Sequence, residues 1–503
     1  MSDRFARNSL FSTVAGIGTA LSSLLSMVLV SRLLGPSEAG TVAYALWIAT
    51  LAVTFADFGI YQSLTRYLPE LTARGDDHAA WGLAAFLLRP CLILAALGLA
   101  VFVWRGGTAI DEPGAALPPR MWWLIGLLFT SQLVSSFGLG LLRGFQRFDK
   151  AARLTLSSLV VQLMAVAAGA VLGGAGGALL GYCAGNLLPI AMILRRELLH
   201  GRIGPALRGR VLKFALYSWA GALTVAMVWS RLEIFFLARY HGSEAVALYT
   251  AGLTFSNLAS QGPLLLTGGL LPYFSERIAE NSLQQLNSSY ATATRVMAFL
   301  LFPICLGLAA ILPALLPLVY GPAFVAAIPS ASILVAGAAF GASGAVGSQM
   351  IYARERSDFV FFSGIAGAIL SVAAYAIVIP VYGLEGGAWA RAGIHIFMVA
   401  FGSWFIWRRL ACPIPLLSIA KIFLAAACCA VAAHLCVRLI ANPLLSLPTA
   451  LISGALVYSL CVRWLRALPS QDLTRLSGLL GRLPVMARIP AIGCLALLSS
   501  ERI

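Results

Sequence analysis

The chain has 503 residues, of which 60% are hydrophobic and 11% charged, and its mean hydropathy is +0.89. Soluble domains run near half apolar and a quarter charged, so this composition excludes a soluble enzyme, a disordered chain and a large extramembrane domain. The net charge of +16, from 35 basic and 19 acidic residues, is carried almost wholly by arginine; in so apolar a chain it bears first on membrane orientation, and no nucleic-acid partner is expected.

A bilayer span takes about 20 apolar residues. Cutting the apolar runs at charge clusters and Gly/Pro turns predicts fourteen spans, at 10–33, 39–62, 79–104, 120–142, 153–174, 176–194, 211–237, 245–272, 296–320, 326–350, 359–381, 385–407, 417–440 and 446–465. The first run is too long for a cleaved signal and lacks a small-residue cleavage end, so it reads as a true span. Spans 5 and 6 meet at an uncharged turn, Gly173-Gly174-Ala175-Gly176-Gly177. The nine cysteines form no CxxC pair and fall mostly inside apolar runs. They read as small core side chains, and neither a metal nor a cofactor is expected.

With the N-terminus placed in the cytoplasm, 27 of the 35 basic residues fall on the cytoplasmic side, five on the external side and three within spans. That asymmetry follows the positive-inside rule and sets both termini in the cytoplasm. The external loops are short; the longest, near 105–119, offers only Asp111 and Glu112. A membrane enzyme of glycan assembly would need a larger external loop with acidic or histidine residues, so the chain is read as no enzyme. The glycine-rich stretch Gly341-Ala-Ser-Gly-Ala-Val-Gly347 has no following lysine and lies in a span. It reads as a helix-packing surface rather than a phosphate loop, and no ATPase motif is visible.

The chain also repeats. Residues 31–44 and 238–249 share Arg32 with Arg239, Gly35 with Gly242, Glu38 with Glu244 and Tyr44 with Tyr249. Both segments join an odd span to an even one externally. The reading is an all-α polytopic membrane protein with two six-helix lobes in parallel repeat, 1–194 and 214–408. A basic cytoplasmic linker, 195–213, joins them; transmembrane helices 13 and 14 occupy 409–466, and a basic tail fills 467–503. Parallel repeats about an axis along the membrane normal mark transporters. The tail, with Arg475, Arg482 and Arg488 before an apolar run, reads either as an interfacial helix on the anionic inner leaflet or as a disordered end.

Ionisable residues inside a membrane are costly and mark cavities or partners. Arg89 precedes Pro90 in span 3. Asp57 lies in span 2, Arg231 and Glu233 in span 7, and Arg391 and His395 share a face of span 12, four residues apart. For each, a structural ion pair or a side chain reaching to the headgroups is the plain alternative; for His395 it is simple packing. Arginines drawn from both lobes suit an anion, and the planar fork suits phosphate.

Two stretches resemble a known family. Val30-Ser-Arg-Leu-Leu-Gly-Pro-Ser-Glu-Ala-Gly40, then Asp57-Phe-Gly-Ile-Tyr-Gln-Ser-Leu-Thr-Arg-Tyr-Leu-Pro-Glu70, is similar to the N-terminal signature of the Wzx-type polysaccharide biosynthesis flippases. Trp229-Ser-Arg-Leu-Glu233, Ala245-Val-Ala-Leu-Tyr249 and Leu271-Pro-Tyr-Phe-Ser275 resemble its second-lobe signature. That family belongs to the superfamily of the MATE exporters and the lipid II flippase. The resemblance implies a V-shaped, MATE-like fold of twelve helices plus two, in the bacterial inner membrane. It implies alternating-access export of an undecaprenyl-diphosphate-linked oligosaccharide, such as an O-antigen, capsule or exopolysaccharide unit. Polysaccharide polymerase or assembly proteins are the implied partners besides membrane lipids. Arg32, Arg66 and Arg231 lie in or beside the matching motifs and take the implied diphosphate role. Arg89, Arg391 and His395 join them on depth alone, and Asp57, Glu233 and His395 are the titratable coupling candidates. A lipid II flippase and a MATE-type small-molecule antiporter remain alternatives, although the latter should have a more acidic cavity.

Overall fold

A computed structural model describes residues 2–108, 117–193, 198, 203–229, 231–280 and 282–469. Among these residues the chain is helical, with no strand. The helices are α1 (Ser2–Ala56), α2 (Ile60–Ala73), α3 (Asp77–Thr108), α4 (Met121–Gly144), α5 (Phe148–Ile190), α6 (Pro205–Trp229), α7 (Glu233–Leu265), α8 (Leu270–Ala279), α9 (Leu283–Tyr320), α10 (Ile328–Ala353), α11 (Ser357–Arg409), α12 (Leu416–Leu439) and α13 (Pro443–Trp464). Nine helices among the described residues are long and apolar enough to cross a bilayer, so this is a multi-pass membrane protein. Asp111 and Glu112, arginines 195, 196 and 202, and the tail from 470 lie outside the described residues.

Three long helices each carry two predicted spans joined at a glycine. α1 turns at Gly35 (φ 78, ψ 176), ahead of Pro36. α5 turns at Gly173 and Gly174 (φ 58, ψ −143), and α11 at Gly383 (φ 54, ψ −134). Only glycine takes such dihedrals without strain. The turn in α5 makes a hairpin whose halves touch backbone to backbone: a Cβ added at Gly177 would lie 1.9 Å from the carbonyl oxygen of Gly169.

The repeat is written in the backbone as well as in the sequence. Gly35 has its counterpart in Gly242 (φ 76, ψ −172) of α7, and Gly174 in Gly383. Gln146 (φ 57) and Glu355 (φ 56) are left-handed at the ends of α4 and α10. The short helices α2 and α8 follow breaks at corresponding places, 57–59 and the 3-10 turn Leu266–Gly269.

Three spans differ from expectation: span 8 is broken by the 3-10 turn Leu266–Gly269. Span 2 stops at Ala56 and resumes as α2 after Phe58 (φ 44) and Gly59 (φ 74). Span 7 stops at Trp229 and resumes at Glu233. Hydropathy runs through the breaks in spans 2 and 7 and does not show them. In span 2, Phe58 and Gly59 take left-handed dihedrals that no helix interior accommodates.

The chain divides into two compact units, Met1–Thr250 and Ala251–Ile503. In the first, α6 lies against the end of α1 and the start of α2. A Cβ at Gly59 would come within 2.3 Å of the Ala215 oxygen, Phe58 stacks on Trp219 at 4.4 Å, and the Trp219 indole N–H donates to the Phe55 carbonyl at 3.1 Å. In the second, the predicted glycine surface of α10 packs on α11: Gly337 meets Ala392, Gly341 meets His395 and Gly344 meets Val399. Phe302, Phe340 and Phe423 join α9, α10 and α12 at ring distances of 5.4–5.7 Å. The Tyr458 hydroxyl fastens α13 to the Phe299 carbonyl of α9 at 2.8 Å.

Candidate functional site

Charge collects where membrane helices are interrupted. At the first interruption Asp57 is half-buried, and its Oδ1 accepts the Tyr61 amide at 3.3 Å. The carboxylate thereby satisfies a first-turn N–H of α2 that has no helical partner. The Tyr61 hydroxyl in turn accepts from Arg143 of α4, whose guanidinium lies 6.0 Å from the centre of the same ring.

Along α2 the predicted site residue Arg66 is exposed and belongs to a larger cluster. Glu70 accepts from Arg66 at 3.1 Å, from Arg74 at 2.7 Å and from Arg210 of α6 at 3.5 Å. Arg66 and Arg210 both lie over the Tyr67 ring, at 5.6 and 5.7 Å, while the Tyr67 hydroxyl donates to the Arg210 carbonyl at 3.3 Å. Three guanidiniums against one carboxylate leave two positive charges uncompensated. Exposed pairs of this kind stabilise by only about 0.2–1 kcal/mol each, so the cluster matters for its charge more than for stability.

At the second interruption Glu233 is fully buried as the first residue of α7. The positive end of the helix favours a carboxylate there. Arg231 sits half-buried two residues earlier, and its carbonyl accepts the Ile234 amide at 3.1 Å. Both residues interact with other groups of the protein. Their counterpart region in α1 runs through unbroken, so this interruption is peculiar to the second repeat.

The remaining predicted residues are more scattered. Arg32 is exposed on α1, one turn before Gly35. Arg89 is exposed on α3, on the stripe that continues through Leu92, Ile93, Leu97 and Val101. Arg391 is half-buried on α11, and His395, one turn on, is buried against Gly341, where an added Cβ would lie 2.8 Å from Nδ1. The structure therefore places Arg231 and Glu233 at one helix break, Arg391 one turn from His395, and Arg66 in a cluster with two further arginines, Arg74 and Arg210. Arg74 follows Glu70 at helical spacing and was readable from the chain; Arg210 lies 140 residues away from Glu70 and was not.

A family model described as "Polysaccharide biosynthesis protein" matches residues 5–277, more than half of the chain. No curated protein matches the sequence at a significant level. Among solved structures, the lipid II flippase MurJ in an inward closed conformation aligns with a TM-score of 0.72 and 14% identity, over 93% of this chain and 100% of that one. An inward-facing multidrug resistance MATE family transporter of the MOP superfamily aligns at 0.65 and 15%, over 78% and 94%. A MATE protein in a bent conformation aligns at 0.53 and 16%, over 85% and 97%. At such identities the likeness is one of fold.

Proposed function

The chain belongs to the polysaccharide biosynthesis protein family, and on that premise we propose that it is a flippase for a lipid-linked oligosaccharide. The substrate class is an undecaprenyl-diphosphate-linked repeat unit of O-antigen, capsule or exopolysaccharide. It is carried across the bacterial inner membrane by alternating access, with both chain termini in the cytoplasm. The observation that carries this reading is the placing of Asp57, Arg231 and Glu233 at interruptions of apolar helices. Discontinuous membrane helices are where transporters bind ions and anionic substrate groups.

In this reading Arg231 holds the diphosphate, with Arg32, Arg66, Arg89, Arg391 and His395 as further contacts along its path. The guanidinium fork meets two phosphate oxygens at once and keeps its charge at any working pH. The prenyl chain stays in lipid, where its transfer to an aqueous chamber would cost about 25 cal/mol per Å² of apolar surface. Asp57 and Glu233 are the groups whose protonation would couple transport to a proton gradient. A charge moved through 100 mV contributes about 2.3 kcal/mol. Complementation tests the reading: the gene should restore surface glycan in a strain depleted of its polysaccharide flippase. Rescue of a strain depleted of its lipid II flippase instead would replace the substrate assignment.

A further inference from the structure

The end of α2, the start of α3, the end of α4 and the turn after it line an open cleft of about 280 Å³ that plays no part in substrate transport as proposed. Leu141 and Leu142 form its apolar wall, and Trp81 and Phe145 meet beside it with ring centres 4.7 Å apart. Thr72, Asp77 and Arg147 complete the lining. Asp77 and Arg147 are exposed, and no salt bridge joins them.

The repeat shows that Arg147 departs from a pattern. The α4–α5 and α10–α11 turns share one backbone design: Arg147 N–H donates to the Leu142 carbonyl at 2.9 Å, and Arg356 N–H to the Ile351 carbonyl at 3.1 Å. Each arginine is followed two residues later by an aspartate, Asp149 or Asp358. In the second copy the pair closes on itself, with two bonds of 2.9 and 3.0 Å from Arg356 to Asp358. In the first copy Arg147 makes no such pair with Asp149 and lines the cleft instead. Asp77 is similarly released. Its neighbour Asp76 does the capping of α3, accepting the Ala79 amide at 2.9 Å.

We propose that this cleft binds the headgroup of a zwitterionic aminophospholipid, with the phosphate on Arg147 and the ammonium on Asp77 beside Trp81. A purely anionic headgroup would meet the Asp77 carboxylate, and a lone cation would meet Arg147; a ligand bearing both signs satisfies both. Guanidinium suits phosphate, a ring face suits ammonium, and tryptophan belongs at the depth of the headgroups. The site is independent of what the protein transports.

The test is native mass spectrometry of the full-length protein, titrated with phosphatidylethanolamine and phosphatidylglycerol in competition. Wild type should retain phosphatidylethanolamine over phosphatidylglycerol by about tenfold or more, as expected for one hydrogen bond to a charged group. Asp77→Asn should bring that ratio towards one, Asp77→Glu should keep it, and Arg147→Gln should weaken retention of both lipids. An unchanged ratio in Asp77→Asn, unchanged retention of both lipids in Arg147→Gln, a wild-type preference for phosphatidylglycerol, or displacement of bound lipid by free oligosaccharide would each overturn the proposal.

Discussion

The hydroxyl oxygens of Ser37 and Ser243 lie 3.5 Å apart although 206 residues separate them, and they occupy corresponding places in the two copies of the repeat. Beside them, Gly40 approaches the Ser243 backbone so closely that a Cβ would fall 1.7 Å from its carbonyl oxygen. The first copy thus meets the start of the second through residues that are each other's counterparts, just past the glycine turns at Gly35 and Gly242.

If alternating access requires this junction to open, fixing it should stop transport. Ser37→Cys with Ser243→Cys should cross-link under mild oxidation, and transport should fall and then recover with reductant. Full transport in the cross-linked protein would show that the junction does not move in the cycle. Gly40→Val should lower the melting temperature, since overpacking costs about 1–3 kcal/mol; a melting temperature equal to wild type would contradict that close approach.

The fit of His395 against Gly341 makes a parallel prediction in the second unit. Gly341→Leu should lower the melting temperature of the purified protein by several degrees, again through overpacking of about 1–3 kcal/mol. His395→Ala combined with Gly341→Leu should recover part of that loss. Equal melting temperatures for wild type and Gly341→Leu would refute the packing.

Asp57 has two duties to separate. Its oxygen satisfies the Tyr61 amide, and Asn retains an acceptor oxygen, so Asp57→Asn should leave α2 in place and the protein at normal levels. Under proton coupling the same substitution should make transport in vesicles indifferent to a pH gradient. Full gradient dependence in Asp57→Asn would leave Asp57 with the capping duty alone and move the search for coupling to Glu233 and His395.

The multi-pass helical character was legible from composition, because hydropathy acts locally along the chain, and the arginine bias adds an orientation. It predicts that reporter fusions at Arg202 and after Ile503 both behave as cytoplasmic; an external signal from either would break the assigned orientation. The turns at Gly173-Gly174 and the packing role of Gly341–Gly347 were equally readable, since glycine declares itself. The interruption before Glu233 was not, because a window of apolar residues averages over the four positions of Ser230-Arg-Leu-Glu233. The clustering of Arg66 and Arg74 with Arg210 around Glu70 was hidden for a different reason: α2 and α6 meet only through the fold. For Arg89, position along the helix suggested depth, whereas the face it occupies became visible only beside Leu92, Ile93 and Leu97.

The central claim is that Arg231 grips the diphosphate of a lipid-linked oligosaccharide, and it is tested in proteoliposomes holding purified protein and that lipid. Wild type should move the lipid between leaflets. Arg231→Ala should slow that movement by about thirtyfold or more, as expected when a charge contact of about 2 kcal/mol is truncated, with the protein inserted at its normal level. Arg231→Lys should separate a bidentate grip, which it loses, from a point charge, which it keeps. Wild-type rates from Arg231→Ala would contradict the account at its centre.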